Sequence, residues 1–330
     1  RKEFENTADI YSKSKNTVFA WSMGITHHNF GVDNVQAIVN LALIRGMVGK
    51  KYAGLLPLRG HSNVQGIGSM GVTPQLKQAV LDNLQSKFPV ILPTKPGLDT
   101  LACVESANKK EIDFAFNLGG NLYGSNPDSQ FTQMSLGKIG FSLFLNTTLN
   151  QGHFLGRGQN SLILPVLARD EEPEPTTQES MFSFIRLSDG GFKRYSGPRS
   201  EVKIIAEIAQ RVIGSNELPW ESLSYTGNIR EIISRIIPGF EQLKNIDQTG
   251  KEFHIDKRIL HTPRFSLPDG KASFKVCPIP AVRGNKRNCF TLMTIRSEGQ
   301  FNTVVYEPDD RYRKVTTRNV VLMNKKDIKM

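Results

Sequence analysis

Two apolar runs set the strongest limit on what this chain can fold into. Ile112–Leu118 is apolar apart from Asp113 and Asn117, and Ile139–Leu145 is broken only by Gly140 and Ser142. Each stops abruptly, the first in Gly119-Gly120-Asn121 and the second in Asn146-Thr147-Thr148. Runs of this kind are expected of parallel strands covered on both faces. Helical periods alternate with them. Val35, Ile38, Val39, Ala42 and Leu43 mark one face of a helix capped by Asp33 and stopped by Gly46 and Gly49. Thr73-Pro74 opens a second helix with the face Leu76, Val80, Leu81, Leu84, and Leu98–Ala107 reads as a third. Thr17–Trp21 reads as a buried strand before the first helix. Alternating strands and helices define an α/β fold with open, mostly parallel sheets.

Ligands in such sheets bind at the carboxyl ends of the strands. Gly119, Gly120 and Asn121 form one such end, and Asn146, Thr147 and Asn150 a second. A third polar wall is Pro57-Leu58-Arg59-Gly60-His61-Ser62-Asn63-Val64-Gln65-Gly66. Glycine lets backbone approach a ligand, arginine offers a planar fork for a carboxylate or phosphate, and amides both donate and accept. Two readings stand at the level of residue types: the wall of a site for a large anionic ligand, or a tight turn satisfying its own backbone. Neither Gly119–Asn121 nor Asn146–Asn150 is a G-x-G-x-x-G opening a helix, so the ordinary nicotinamide fingerprint is missing there.

Composition removes several classes. The 330 residues suffice for more than one domain. No apolar run approaches the ~20 residues of a membrane span. Cys103, Cys277 and Cys289 stand far apart with no C-x-x-C, and the six histidines lack metal-ligand spacing, so no metal ligands are expected within this chain. The buried-type cysteines suit a reducing, cytoplasmic setting. The net charge is +11, but the basic residues are scattered apart from clusters at Arg283–Arg287 and Lys325–Lys329. Nucleic-acid binding needs them on one face, so part of the charge is expected to meet a ligand with several phosphates. The sequence opens on a charged helical segment without Met and closes abruptly at Lys329-Met330, as expected of a piece of a longer protein.

The second half divides differently. Arg169–Gln178 reads as an acidic, proline-bearing connector, and Arg186 and Asp189 as a pair within the loop that follows. Ser200 caps a helix with Val202, Ile205, Ala209 and Val212 inward, and Asn228–Ile237 is a shorter helix. Gln242–Asp269 is loop-rich. Cys289–Arg296 and Val320–Met323 alternate like strands. The expected divisions are 1–70, one α/β cofactor-binding domain; 71–215, a second α/β dinucleotide-binding region; 216–280, a connector; and 281–330, an incomplete β domain.

Several stretches together resemble one family. Trp21-Ser22-Met23-Gly24-Ile25-Thr26-His27-His28, Asn40–Gly46, Pro57–Gly66, Gly119–Asn121, Leu162-Ile163-Leu164-Pro165, Gln178–Ser183 and Thr294–Thr303 occur in the order of the molybdopterin oxidoreductases. Within these, the chain is most similar to the formate dehydrogenase H-like catalytic subunits. The resemblance implies Rossmann-like open sheets with flanking helices, followed by the start of a double-psi β-barrel. It implies a molybdenum bis(molybdopterin guanine dinucleotide) cofactor and a small, formate-like substrate. It implies an electron-transfer partner protein, and, where members carry one, a 4Fe–4S cluster bound outside this chain. By position, Arg59 orients the substrate carboxylate with His61 beside it. Gly24, Gly60, Asn63, Gln65, Gly66, Gly119, Gly120, Asn121, Asn146, Thr147, Asn150, Thr294, Arg296, Gln300 and Thr303 contact the cofactor. The formate enzymes tend to carry Gln where His61 stands, and Thr-Gly-Arg where this chain has Thr294-Ile295-Arg296. A second class of function is a cofactor-free structural subunit of an electron-transfer complex.

Overall fold

The computed structural model describes residues 2–256, 262–281, 289–293, 314 and 320–329. Three small sheets organise them. β1 (Val18–Trp21) pairs parallel with β2 (Gly54–Pro57). β3 (Phe114–Leu118), β4 (Phe141–Asn146) and β5 (Asn160–Pro165) form a parallel sheet in the order β3-β4-β5. β6 (Thr176–Glu179), β7 (Phe184–Ser188) and β8 (Phe253–His254) form an antiparallel sheet. The first two sheets are flanked by helices, in keeping with an α/β reading.

Parallel pairing with in-register partners, Phe116 opposite Leu143 and Leu143 opposite Leu162, brings all three strands to a common carboxyl edge. That edge is where Gly119, Asn146 and Val166 begin their loops. Ala107 of helix Thr100–Asn108 and Leu136 of helix Ser129–Leu136 cluster with Ile139, just before β4, and Ala115 of β3 packs against them. Helix Glu201–Val212 seals Leu145, Val166 and Leu164 through Ile204 and Ile208. Coverage of β3 on both faces, expected from its composition, does not hold. β3 is an edge strand, and Phe114, Phe116 and Leu118 are exposed along one side.

Helix starts shift where local signals compete with tertiary contacts. The first of the long internal helices spans Gly31–Ile44, so Asp33 lies in its first turn rather than capping it. The helix expected from Thr73-Pro74 begins only at Gln78; the Thr73 hydroxyl is spent on the Gln75 carbonyl. Asp99 caps Thr100–Asn108, its carboxylate accepting from Ala102 N at 2.9 Å. Ser200 caps helix Glu201–Val212 as expected. Ile204 and Ala206 are its most buried residues, the expected Ile205 packs against the same cluster as Ile204, and Val212 is exposed.

The connector hides β6, and Gln242–Asp269 contains a short helix, Ile246–Thr249, and β8. Ile185, Ile236, Phe240, Leu243, Ile246 and Phe253 form the largest core cluster there, with Leu84 and Met70 packed against it. Each such side chain contributes roughly 1.5–3 kcal/mol on burial. Arg186 pairs with Glu252 at 3.6 Å, not with Asp189. Residues 289–293 and 320–323 adopt no strand. Thr294, Arg296, Gln300 and Thr303 lie outside the described residues.

Gly158 shows how tightly β4 and β5 are joined. A Cβ there would stand 2.5 Å from the Ile139 carbonyl oxygen, and its N–H donates to Ser142 Oγ at 3.0 Å. Gly158→Ala is expected to lower stability by about 1–3 kcal/mol, as overpacking against backbone does. A thermal melt unchanged from the parent would contradict this.

Candidate functional site

The carboxyl ends of β3 and β4 enclose a cavity of about 230 Å³. Gly119 and Gly120 turn the chain out of β3 with φ of 67° and 74°, a conformation costly for any residue with a Cβ. The Gly119 N–H donates to Leu145 O at 2.8 Å, tying the turn to β4. A Cβ on either glycine would meet nothing within 4 Å, so their backbone borders open space. Conformation, not crowding, demands glycine here.

Asparagines fix the loops around this turn. Asn121 Oδ1 accepts from Gly124 N at 2.9 Å and caps the short helix Leu122–Ser125. Asn150 Nδ2 donates to Gly120 O at 3.0 Å, and its Oδ1 accepts from Gly152 N at 2.8 Å. The β4 loop is thereby laced to the β3 loop. Gly152 is needed because a Cβ would sit 2.4 Å from Asn121 Oδ1. Asn146, at the end of β4, has a buried Oδ1 with no hydrogen-bond partner. Thr147 is exposed beside it.

His153 is a residue that sequence reasoning passed over. It is 3% exposed and lines the cavity with Phe116, Tyr123, Phe144 and Asn150. Its Nδ1 accepts from Asn150 N at 3.0 Å. The proton of the neutral ring therefore sits on Nε2, which is buried and has no partner. Its ring stands edge-on to Phe144 with centroids 5.0 Å apart. Asn150-x-x-His153 was the available signal, but it becomes readable only once the turn joining those residues is known.

Burial pushes the His153 pKa below the ordinary value. Its neutral form is favoured in the folded protein, so its contribution to stability is complete above pH about 6.5 and is lost as pH falls below that value toward the folded pKa. Melting of the parent is expected to fall relative to His153→Asn as pH drops below about 6.5. Parallel curves for the two proteins would contradict it.

The second locus lies at the carboxyl ends of β1 and β2. Leu58 N donates to Trp21 O at 2.8 Å, and Ser22 Oγ to Leu58 O at 3.3 Å, so the two strand ends leave side by side. Arg59, Gly60 and His61 are exposed. Among the described residues, Arg59 and His61 make no hydrogen bond or ion pair. Gly24 lies in the short helix Met23–Thr26 with open space beyond its Cα.

The remainder of this loop is clamped from behind. Asn63 adopts φ 60°, and its Oδ1 accepts from Glu179 N at 3.0 Å. A Cβ on the buried Gly66 would stand 2.0 Å from that same oxygen, which explains the glycine. Arg169 Nη1 donates to Gln178 Oε1 at 2.9 Å and to Ser62 Oγ at 3.3 Å. Gln65 is half-buried in the helix that follows. β6 thus anchors Ser62–Gly66 and leaves Arg59 and His61 projecting. The cavity at β3 and β4 is not lined by this loop, so the structure gives two loci rather than one.

Among the described residues, no three His, Cys, Asp or Glu side chains group as metal ligands, and no helix is long and apolar enough to cross a membrane. Glu171, beside the clamp, is held below the usual carboxylate range by the Ala168 N–H and by Arg194.

Strand-end loops rich in glycine and amides are the class of site that α/β proteins use for nucleotide-like ligands. Residues 6–141 match the family described as Molybdopterin oxidoreductase, so this part of the chain is similar to that family's domain. The chain is similar, at 32% identity over 343 residues, to an uncharacterized oxidoreductase of Mycobacterium tuberculosis; the match covers 99% of this chain and 43% of that protein. It is 32% identical over 336 residues to protein YdeP of Escherichia coli, covering 98% of this chain and 44% of the other. It is 25% identical over 291 residues to a formate dehydrogenase subunit alpha of Methanocaldococcus jannaschii, covering 83% of this chain and 41% of that subunit. The chain spans less than half the length of these curated relatives.

Proposed function

We propose that this chain is part of a molybdenum bis(molybdopterin guanine dinucleotide) oxidoreductase that oxidises formate or a similar small substrate and passes the electrons to a partner protein. The observation that carries this is the β3–β4 strand end: two left-handed glycines bordering open space, loops laced by asparagines, and a buried imidazole N–H without a partner. Those features fit one end of a large, hydrogen-bonding, phosphate-bearing group. At about 230 Å³ the cavity is smaller than the roughly 300–1,000 Å³ of sites that enclose a whole drug-sized ligand, so it takes one end of the cofactor.

Gly119, Gly120, Asn121, Asn146, Thr147 and Asn150 would hold that end, and Gly24, Gly60, Asn63, Gln65 and Gly66 would border another part. Asn63 would act through the backbone it positions, since its Oδ1 is already engaged by Glu179 N. Thr294, Arg296, Gln300 and Thr303, by the family resemblance, would contact the same group. When bound, the cofactor supplies the two-electron chemistry. The protein supplies position and charge. The Arg59 guanidinium presents a fork of donors that matches a carboxylate bidentately. His61, two residues on, offers a donor or acceptor to the same substrate. β6 holds the base of this loop at Ser62 and Asn63, which limits how far the backbone carrying Arg59 can wander.

The experiment is to express the full-length protein, measure molybdenum per chain, and assay formate with an artificial electron acceptor. Molybdenum with formate turnover is the expected result. Molybdenum without turnover would keep the cofactor and discard formate. A protein free of molybdenum would sink the reading and favour a cofactor-free structural subunit.

A further inference from the structure

We propose that the open edge of β3 and the apolar face beside it are completed by another segment of the same full-length polypeptide: a strand that pairs with β3 and brings a helix onto that face.

Register defines the face. Phe114 stands opposite Phe141, Phe116 opposite Leu143, and Leu143 opposite Leu162, so these side chains share one side of the sheet. Leu118, Leu145 and Leu164 lie on it too. Helix Glu201–Val212 covers only its far end, where Leu145 and Leu164 pack with Ile204 and Ile208. Toward β3 the face is open. Phe114, Phe116, Leu118, Phe141 and Leu162 are each more than a third exposed, and Phe114 and Leu118 more than half. The rings of Phe114 and Phe141 stack on each other, with centroids 5.8 Å apart. Parallel sheets are normally covered on both faces.

The strand edge is open as well. At the other border of the sheet, β5 is continued by Arg199, which bridges Val166 and donates its N–H to Pro165 O at 3.3 Å. Among the described residues no strand does the same for β3. On its paired side, Asp113 O accepts from Phe141 N at 3.0 Å and Gly119 N donates to Leu145 O at 2.8 Å. Alternate residues of a strand turn their backbone groups to opposite edges, so the N–H groups of Phe114, Phe116 and Leu118 point away from β4. Native edges that stay bare are guarded by charge, proline or a bulge. The sequence Phe-Ala-Phe-Asn-Leu has neither charge nor proline, and its pairing with β4 is continuous. Such an edge invites aggregation unless a strand occupies it.

Length selects the occupant. The relatives that match 98% and 99% of this chain extend well past it, the matched part being only 44% and 43% of each. Covalent attachment gives a segment of the same polypeptide an effective concentration on the order of millimolar, above that of a separate subunit. A strand added parallel to β3 also comes with a crossover helix, which is what the open face lacks.

Two measurements on the full-length protein test this. In residue-resolved hydrogen exchange, the amides of Phe116 and Leu118 are expected to exchange at least about 100-fold more slowly than an unstructured chain, as paired strands do. That protection is expected to survive tenfold dilution. Separately, p-benzoylphenylalanine placed at Phe114 is expected on illumination to join a peptide from outside these 330 residues without raising the mass of the chain. Unprotected amides at Phe116 and Leu118 would overturn the proposal. A probe that leaves the chain unlinked, or links only within these residues, would do the same. A cross-link that doubles the chain mass would assign the edge to a second copy instead, and one to a different protein would assign it to a separate partner. The exchange measurement needs no substitution, so it decides the matter even where the probe disturbs folding.

Discussion

Replacing Arg59 with alanine in the full-length protein is expected to cut formate turnover by about 100-fold or more while molybdenum per chain stays at the parental level. The magnitude is that of removing one fixed donor from a reacting centre. The separation of the two readouts follows from the structure. Arg59 is exposed and makes no hydrogen bond or ion pair among the described residues, so its loss should move stability by no more than about 0.5 kcal/mol. The loop base is held by other groups: Asn63 on Glu179 N, and Arg169 on Gln178 and Ser62. Arg59→Lys keeps the charge and loses the planar fork, and should restore only part of the turnover. A fall of less than about threefold in Arg59→Ala would remove Arg59 from the substrate's surroundings, because removing one donor from a reacting centre costs far more than that. Loss of molybdenum along with turnover would instead assign it to cofactor retention.

The β3 turn was legible in the sequence because two adjacent glycines after an apolar run have few other uses. A left-handed backbone excludes most side chains, so residue type reports conformation directly. Ser200 as a cap was legible for a similar local reason. What escaped depends on partners distant in the chain. β6 lies in a proline-bearing acidic segment, and it is a strand only because β7 pairs with it. Arg186 finds Glu252, sixty-six residues away, rather than its neighbour Asp189. The exposed side of β3 follows from strand order, which composition does not encode. His153 carries no metal-ligand spacing and no charge partner. Its interest lies in one occupied and one vacant nitrogen, a fact of geometry alone.

The largest expected effect on stability is at Asp247, far from both loci in sequence. Arg230 is 4% exposed, with Nη2 on Asp247 Oδ2 at 2.5 Å and Nη1 on Pro175 O at 2.9 Å. Asp247→Ala leaves a buried guanidinium with a single neutral acceptor, and should destabilise by about 3 kcal/mol, the lower end of the range for breaking a buried pair, since Asp247 is partly solvated. Arg230→Met combined with Asp247→Ala replaces charge by apolar volume and should recover a good part of that loss. Chemical denaturation of the full-length protein gives the numbers, and a change below about 1 kcal/mol in Asp247→Ala would refute the assignment. The consequence for function runs through the backbone. Pro175 immediately precedes β6, and Glu174 Oε2 accepts from Thr226 N at 2.6 Å, so the helix Thr226–Ile236 holds the strand at its start. The other end of β6 is Glu179, whose N–H holds Asn63 and with it the base of the Arg59 loop. Asp247→Ala should therefore lower turnover at temperatures where the protein is still folded, and it should do so more than a variant of equal stability loss in the Ala107–Leu136–Ile139 cluster, which has no such line to Arg59. Equal turnover in two such stability-matched variants would show that β6 transmits nothing to the loop.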